Sequence, residues 1–441
     1  MRRSTTRLSL ALGLALCAAL DAGVAAGQNV QDGRVAQGDS LLAARDTAQA
    51  RRVYEEVLRA DPDRSRALYQ LGRIARRGST EQIQLLQRYA ELEPGDAWGH
   101  LAYGDALLRG GRPRSALHAY ERGLALAPDD EDLIGGARRA RTMIRPRVEP
   151  LLGAAHDSDG NQVLTGGAAV LIVGPGDIDF GVRAARIESH GAGIGAATSS
   201  LRLGLASPAR AGLRISGDVG LVRFGAAGAG ANSAVGSLLL RASSGQLTGA
   251  EIRAARTVIT ATPELVANEA VVDELRVRAT LPLVASLGVR GMARLGRIAS
   301  AVEAPNQRVG AGAGLVAAIT PLLELSANAQ RLGYARTTSA GYFAPARADV
   351  LELAAYVEHY PGDLTLALDA GAGAQRVERH GGELDGWKPA LRLWGSVATS
   401  PYARTQLGLE LEAERSQLEA PAGGDGDWHY AQIRTFVRYR L

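Results

Sequence analysis

The sequence predicts an α + membrane β protein, with a short α-helical repeat solenoid followed by a transmembrane antiparallel β-barrel of about sixteen strands. Three observations lead to this fold class. The chain opens with a segment typical of a secretory signal, and apolar residues at helical spacing with recurring prolines follow it. After Pro146 this spacing gives way to long segments in which apolar and polar side chains alternate.

Length and charge narrow the class of function. At 441 residues the chain is long enough for two or more domains. Its 50 Lys and Arg nearly balance its 46 Asp and Glu, for a net charge of +4, whereas a dedicated nucleic-acid binder concentrates a basic excess. We therefore expect a protein of several domains with no nucleic-acid partner.

The first residues, 1–27, are predicted to be a signal peptide. Three arginines precede an apolar run over Leu8–Leu20, and small residues then offer a cleavage site before Gln28. The only cysteine, Cys17, lies within this segment. Lipidation at Cys17 is an alternative, but Leu16 occupies the position where such sites want a small residue. No later apolar run reaches the ~18 residues expected of a membrane-spanning helix.

Internal repetition is visible between residues 28 and 147, which we interpret as one helical domain. Asp61-Pro62, Glu93-Pro94 and Ala127-Pro128 recur at intervals of 32 and 34 residues. The first and third units align at the positions expected to pack their helices, which are Gly38, Ala50, Tyr54 and Pro62 in the first and Gly104, Ala116, Tyr120 and Pro128 in the third.

This spacing resembles the tetratricopeptide repeat, a helix–turn–helix unit of about 34 residues. Glycine and alanine let paired helices approach closely, the aromatic residue fills the space between them, and proline stops the second helix. The middle unit is degenerate, with Gln84 where a small alanine is expected. A last helix over residues 130–144 is predicted to cap the array. Two roles stay open, a spacer before the barrel and a concave surface for a periplasmic partner.

Alternation of side chains dominates the second half of the chain. The last segment, 428–441, places Ile433, Val437 and Tyr439 on one face and Arg434 and Arg438 on the other. A soluble β-sandwich also alternates, but its strands are typically shorter than the ~9–11 residues that cross a bilayer at a tilt. The chain also ends on this strand, as outer-membrane barrels do. These features favour a barrel over residues 148–441.

We count about sixteen such segments, an even number as single-chain bacterial barrels have. A barrel of this size is expected to enclose an aqueous channel unless a loop or domain plugs it. Aromatic residues at the membrane interfaces are few, and those predicted to supply the girdles are Tyr356, Tyr360, Trp394, Tyr402, Trp428 and Tyr439.

The polar faces of these segments provide the candidates for the channel wall. By phase, the predicted pore-lining residues are Arg276, Arg278, Arg290, Arg294, Arg392, Trp394, Glu410, Glu412, Glu414, Arg434, Arg438 and Arg440. They are expected to offer a polymer many weak contacts. The alternative is that Glu and Arg ladders on adjacent strands pair with one another and only rigidify the wall. Tyr342 and Phe343 are candidates for a loop over the pore mouth.

Repeats that lead into a barrel resemble the exopolysaccharide-export porins of the outer membrane, such as those for cellulose and poly-N-acetylglucosamine. The Asp157-Ser158-Asp159-Gly160 hairpin after the first strand is similar to the turn that opens those barrels. The segment Gly341-Tyr342-Phe343-Ala344-Pro345 resembles an aromatic-aromatic-x-Pro element before one of their late strands. The export porins of that group typically carry far more repeats than this chain.

The resemblance implies a pore in the outer membrane of a Gram-negative bacterium that exports a polysaccharide or similar polymer. It also implies a periplasmic repeat domain that docks the polymer, or a synthase or export partner in the periplasm or inner membrane. Outer-membrane lipid is the remaining expected partner. The alternative is a non-conducting barrel that anchors the repeats as a periplasmic assembly platform.

Nothing in the sequence indicates an enzyme, a cofactor or a metal. The seven histidines are dispersed without paired ligand spacing, and no nucleophile elbow is present, although a Ser/His/acid trio within a barrel leaves no sequence signature. Glycine clusters such as 310–314 lack the βαβ context of a phosphate loop. Asp157 and Asp159 fit a calcium-binding Asp-x-Asp or a tight turn, and we favour the turn.

Overall fold

The computed structural model describes residues 31–210, 212–225, 230–245, 247–320, 322–416 and 428–441. The predicted signal peptide, its cleavage site and Cys17 lie outside the described residues. Contacts divide the chain into two compact units, one ending at Arg138 and the other beginning at Arg139.

Among the described residues, the N-terminal part of the chain contains seven helices. The described part of α1 covers 31–43, and the others are α2 (Thr47–Ala60), α3 (Ser65–Ile74), α4 (Thr80–Leu92), α5 (Ala97–Arg109), α6 (Pro113–Leu126) and α7 (Glu131–Ile144). In the part of the chain that is described, no helix has the length and apolar character needed to cross a membrane.

Close approach of glycine to an aromatic ring joins the helices of the first and third repeats. A Cβ added to Gly38 would lie 2.6 Å from Tyr54 Cε1, and one added to Gly104 would lie 2.6 Å from Tyr120 Cε1. Both tyrosine rings are fully buried. Each hydroxyl donates to the aspartate that follows the glycine, at 2.6 Å in Tyr54 and 2.8 Å in Tyr120. The repeat architecture predicted from the spacing is therefore confirmed.

In the degenerate middle repeat, an aliphatic side chain contacts the helix glycine in place of the tyrosine ring. Gly72 of α3 lies against Leu86 of α4, whose side-chain carbons would be 2.6 Å from an added Cβ. The aromatic residue of this unit, Tyr89, instead donates to Asp96 at 2.6 Å. Burial raises the pKa of the Tyr89 phenol, and the bond to Asp96 adds to this.

The second unit is a closed antiparallel barrel of sixteen strands, in which each strand pairs with its sequence neighbours and β1 pairs with β16. This confirms the predicted fold class. The strands are β1 (Arg147–Asp157), β2 (Gln162–Val173), β3 (Asp179–Gly191), β4 (Ile194–Ala206), β5 (Leu213–Gly225), β6 (Asn232–Gly245), β7 (Thr248–Val258), β8 (Val271–Val284), β9 (Leu287–Ala299), β10 (Asn306–Ala318), β11 (Leu323–Tyr334), β12 (Arg347–His359), β13 (Leu364–Glu378), β14 (Lys388–Thr399), β15 (Thr405–Arg415) and β16 (His429–Arg440).

Alternation along each strand separates an apolar outer face from a polar inner face. On β4, for example, Leu201, Leu203 and Leu205 are each about half exposed and point outward, whereas Arg202 between them points inward. The same phase runs around the barrel through the cross-strand register. Since a water-filled interior and an apolar exterior suit a bilayer, this is the pattern of a transmembrane barrel.

The two ends of the barrel differ in their connections. We call the end at which β1 begins and β16 ends the terminal end, and the opposite end the loop end. The loop end carries the longer segments, among them 259–270, 300–305, 335–346 and 379–387. The first of these contains a short helix, α8 (Pro263–Ala267).

Candidate functional site

The inner face of the barrel carries all twelve of the predicted pore-lining residues. Register shows this directly, because Arg276 is opposite Arg294 on β9, and Arg392 is opposite Glu414 on β15. The neighbouring Leu275 and Leu391, in the other phase, are exposed on the outside. A cavity of about 550 Å³ lies along β8 to β15, and six of the twelve line it, which are Arg276, Arg278, Arg290, Arg294, Arg392 and Glu414.

Arginines concentrate on one sector of the wall, and three of them share the carboxylate of Glu274. Arg253, Arg276 and Arg294 are directly opposite one another on β7, β8 and β9, an arrangement that alone would be repulsive. Glu274 relieves it, since its carboxylate lies 2.8 Å from Arg276 Nη2 and 3.3 Å from Arg294 Nε. Arg308 of β10 also pairs with Glu274.

Carboxylates dominate the sector formed by β12 to β15. Arg392 lies between two of them, at 2.9 Å from Asp369 and 3.3 Å from Glu352. On the next pair of strands Arg434 lies 3.3 Å from the directly opposite Glu410. Part of the predicted Glu and Arg ladders thus forms cross-strand pairs, as the alternative interpretation holds.

One row of the inner wall interleaves aromatic rings and carboxylates. Tyr356, Asp369, Trp394 and Glu412 are consecutive cross-strand partners on β12, β13, β14 and β15. Tyr356 is 37% exposed, so its ring contacts the lumen rather than a packed core. This corrects the expectation that Tyr356 and Trp394 belong to interfacial girdles, because alternation puts both on the inner face. Tyr439 does face outward.

At the loop end, two connecting segments fold over the lumen. Val266 of α8 packs with Phe224 and Ala196, whose side chains point inward from β5 and β4. Leu265 of the same helix packs with Tyr342 of the 335–346 segment. An apolar cover therefore lies across part of this end of the barrel.

Hydrogen bonds hold these two segments to the wall, to each other and to Glu303 of the 300–305 loop. Ser189 Oγ donates to the Thr260 carbonyl at 3.0 Å, and Asn268 Nδ2 donates to the Ala340 carbonyl at 3.1 Å. Glu303 accepts from the Ser339 backbone at 2.9 Å and from the Thr338 hydroxyl. Burial raises the pKa of Glu303, but the hydrogen bonds that it accepts outweigh burial and lower it overall.

The two predicted loop residues take different positions in this cover. Tyr342 is buried, with its ring centroid 5.9 Å from that of Tyr334. Phe343 instead lies under the guanidinium of Arg379, which is 5.4 Å from its ring centroid. Sequence reasoning missed α8, although Thr262 before Pro263 is a recognisable helix start.

The predicted tight turn after β1 is present. Oδ1 of Asp157 accepts from the backbone of Asp159 at 3.0 Å and of Asn161 at 2.9 Å. The Asp157 carboxylate is thus the side-chain acceptor of this turn, and Asp159 contributes its backbone N–H. Among the described residues, no group of three or more His, Cys, Asp or Glu could hold a metal ion.

No protein-family model and no curated protein matches this chain. Among solved structures, a bacterial polysaccharide outer membrane secretin is similar over 68% of this chain and 99% of its own, with 13% identity and a TM-score of 0.48. The CymD monoaromatic hydrocarbon channel is similar over 69% of this chain and 91% of its own, with 11% identity and a TM-score of 0.37. Part of the chain, 26%, is similar to 22% of the O-GlcNAc transferase of Thermobaculum terrenum, at 24% identity and a TM-score of 0.24.

Proposed function

We propose that this protein is a pore in the outer membrane of a Gram-negative bacterium, through which a polysaccharide or similar polymer is exported. The helical repeats are periplasmic in this proposal and dock the polymer or a synthase or export partner. The observation that carries it is the inward row of Tyr356, Asp369, Trp394 and Glu412.

The chemistry of this row suits a sugar chain. Aromatic faces pack against the C–H faces of sugar rings, and carboxylates accept hydrogen bonds from sugar hydroxyls. Each contact exchanges with water and is individually weak, so a polymer can move along the wall. The pairing of Arg392 with Asp369 and Glu352 keeps the wall polar without leaving large unbalanced charge beside the row.

The connections support an orientation for the barrel. Bacterial barrels have short periplasmic turns and longer extracellular loops. The loop end, with its segments 259–270 and 335–346, then faces outward, and the terminal end faces the periplasm. Because β1 begins at the terminal end, the preceding helical unit is periplasmic in this orientation.

A non-conducting assembly platform is the second candidate. The cover built from α8 and the 335–346 segment favours it, because these segments obstruct the lumen at the loop end. The two candidates differ in whether that cover opens.

Single-channel recording of the full-length protein in a planar bilayer tests the proposal. Cellohexaose (neutral), glucosamine hexamer (cationic) and trigalacturonate (anionic) serve as probes of the lumen. We expect a conducting barrel with reversible blocks by at least one sugar, and shorter blocks in Trp394→Ala. The matched control is Leu393→Ala, which removes an exposed side chain from the outward face of the same strand and leaves the blocks unchanged.

Folding is checked by heat-modifiable migration. The Val266→Asp variant is expected to open the cover. If the folded protein does not conduct, either as wild type or as this variant, the pore is wrong and the platform is supported. Conductance without any sugar block overturns the polymer assignment alone.

A further inference from the structure

Charges on the outer face of the barrel are confined to one half of it. In the strands as far as they are described, every outward-facing Arg, Lys, Asp or Glu lies in the half nearer the loop end. They are Arg186, Glu188, Arg223, Arg256, Asp273, Arg297, Arg331, Arg347, Asp349, Arg376, Glu378 and Arg415. A charge on the lipid face is costly at the bilayer midplane and is tolerated near the headgroups. These residues therefore mark the headgroup level on the loop side.

Three of these charged residues, Arg256, Asp273 and Arg297, lie at one end of a groove. The groove, of about 760 Å³, runs over the outer face of β5 to β10. Gly236 and Ala254 leave room in its floor, and exposed Val219, Leu275 and Leu295 line it. The groove is thus apolar along most of its length and open to the lipid side.

Its polar end carries an excess of positive charge. Arg256 Nη1 donates to both carboxylate oxygens of Asp273 at 2.9 Å, and Arg297 Nη2 donates to one of them at 2.9 Å. Two guanidiniums thus share one carboxylate. The side chains of Arg256 and Arg297 are 40% and 54% exposed, so both can contact a ligand from outside.

We propose that this groove binds a phosphate-bearing lipid. The headgroup phosphate lies against Arg256 and Arg297, and an acyl chain follows the apolar floor toward the middle of the wall. Guanidinium matches phosphate oxygens in bidentate geometry, and a phosphate supplies the negative charge that Asp273 alone does not. The inference rests on the proposed function only in requiring that the barrel is in a membrane.

A second groove on the same face provides an internal comparison. It has about 520 Å³, runs over β16 and β1 to β3, and is lined by exposed Leu152 and Leu164. Its charges are Arg186 and Glu188, which pair at 2.7 Å and cancel. The two grooves share an apolar floor and an exposed arginine, but only the first has a surplus guanidinium.

The test is native mass spectrometry of the purified full-length protein in detergent, titrated with lipid A, which carries phosphate on its sugar headgroup. Dephosphorylated lipid A is the matched ligand, and inorganic phosphate is the competitor. The variant is Arg256→Gln/Arg297→Gln, and the control is Arg186→Gln in the second groove. We expect lipid A to bind the variant about tenfold or more weakly, and the control to bind like wild type.

Three results would overturn the proposal. Equal binding of dephosphorylated lipid A would show that only acyl chains are recognised. Full displacement by inorganic phosphate would make this a site for the free anion. Equal loss in the variant and in Arg186→Gln would show adsorption without a defined site. Heat-modifiable migration confirms that each variant is folded, and the result does not depend on whether the barrel conducts.

Discussion

Val266 of α8 packs against Phe224 of β5 inside the loop end of the barrel, and both side chains are almost completely buried. Phe224 is an inward-facing strand residue, so it would face water if α8 were absent. The cover of the lumen is therefore held by the same apolar burial that stabilises a protein core. A charge introduced at Val266 should therefore detach α8 from the wall.

Val266→Asp is expected to release α8 from the wall and increase the single-channel conductance of the full-length protein. A carboxylate cannot stay in this apolar cluster without a partner, because burying an unpaired charge is strongly unfavourable. Val302→Asp is the matched control, since Val302 is 53% exposed in the 300–305 loop at the same end. A Val266→Asp barrel that migrates as folded and conducts no more than the control would show that α8 does not obstruct the lumen.

Acidification should also loosen the cover. Hydrogen bonds from Thr338, Ser339 and Tyr342 outweigh burial and hold the pKa of Glu303 below its ordinary value of 4.5. A lowered folded-state pKa stabilises the bound segment above the ordinary pKa, and this stabilisation is lost as pH falls through the lowered value. We expect conductance to rise below about pH 4 in the wild type.

Glu303→Gln isolates this group, because the amide has nearly the same shape and does not titrate in this range. Recordings from neutral pH down to about pH 3 should show the rise in the wild type and lack it in this variant. A rise of the same size in Glu303→Gln would assign the pH dependence to other groups of the barrel.

The cover also shows where sequence reasoning ends. The sequence offers Tyr342 as a candidate for a loop over the pore mouth, and the structure puts it in the cover. The helix α8 has only five residues, too few for apolar periodicity to appear, and its contacts with β3, β4 and β5 join distant parts of the chain. Thr262 and Pro263 signal a helix start, but no local signal says that the segment folds inward.

The barrel wall was more accessible to prediction, because strand phase depends on local alternation. Alternation in the sequence predicts that Arg276 and Arg294 share the inner face, and the register places them directly opposite each other. What alternation alone misses is an isolated charge in the apolar phase. Asp273 is such a residue. Only the cross-strand register shows that it lies directly opposite Arg256 on β7 and Arg297 on β9.

Glu274→Gln is expected to shift the reversal potential of the open barrel toward anion selectivity. The carboxylate is the shared partner of Arg276, Arg294 and Arg308, and its removal leaves these guanidiniums facing the lumen without it. The loss should also cost about 1–3 kcal/mol of stability, seen as a lower temperature for the heat-modified band shift. Glu188→Gln removes an outward-facing carboxylate and should leave selectivity unchanged. Equal shifts in both variants would remove Glu274 from the conduction path.

In the helical unit, Gly38→Ala is expected to be destabilising and Gly33→Ala mildly stabilising, although both glycines belong to α1. The added methyl at residue 38 would lie 2.6 Å from Tyr54 Cε1, and the fully buried ring, tied to Asp39, has nowhere to move. Such overpacking costs about 1–3 kcal/mol. At residue 33 nothing lies within 4 Å, so only the gain in helix propensity, about 1 kcal/mol, remains.

Thermal unfolding of the full-length protein, followed by the helical circular dichroism signal, measures the difference between these two variants. Gly38→Ala should lower the midpoint of the helical transition, and Gly33→Ala should leave it unchanged or raise it. Since both changes are Gly to Ala in one helix, propensity cancels in the comparison and the contact with Tyr54 is what remains. If the two variants unfold at the same temperature, the glycine–tyrosine contact does not hold the first repeat together, and the spacing that predicted it has another origin.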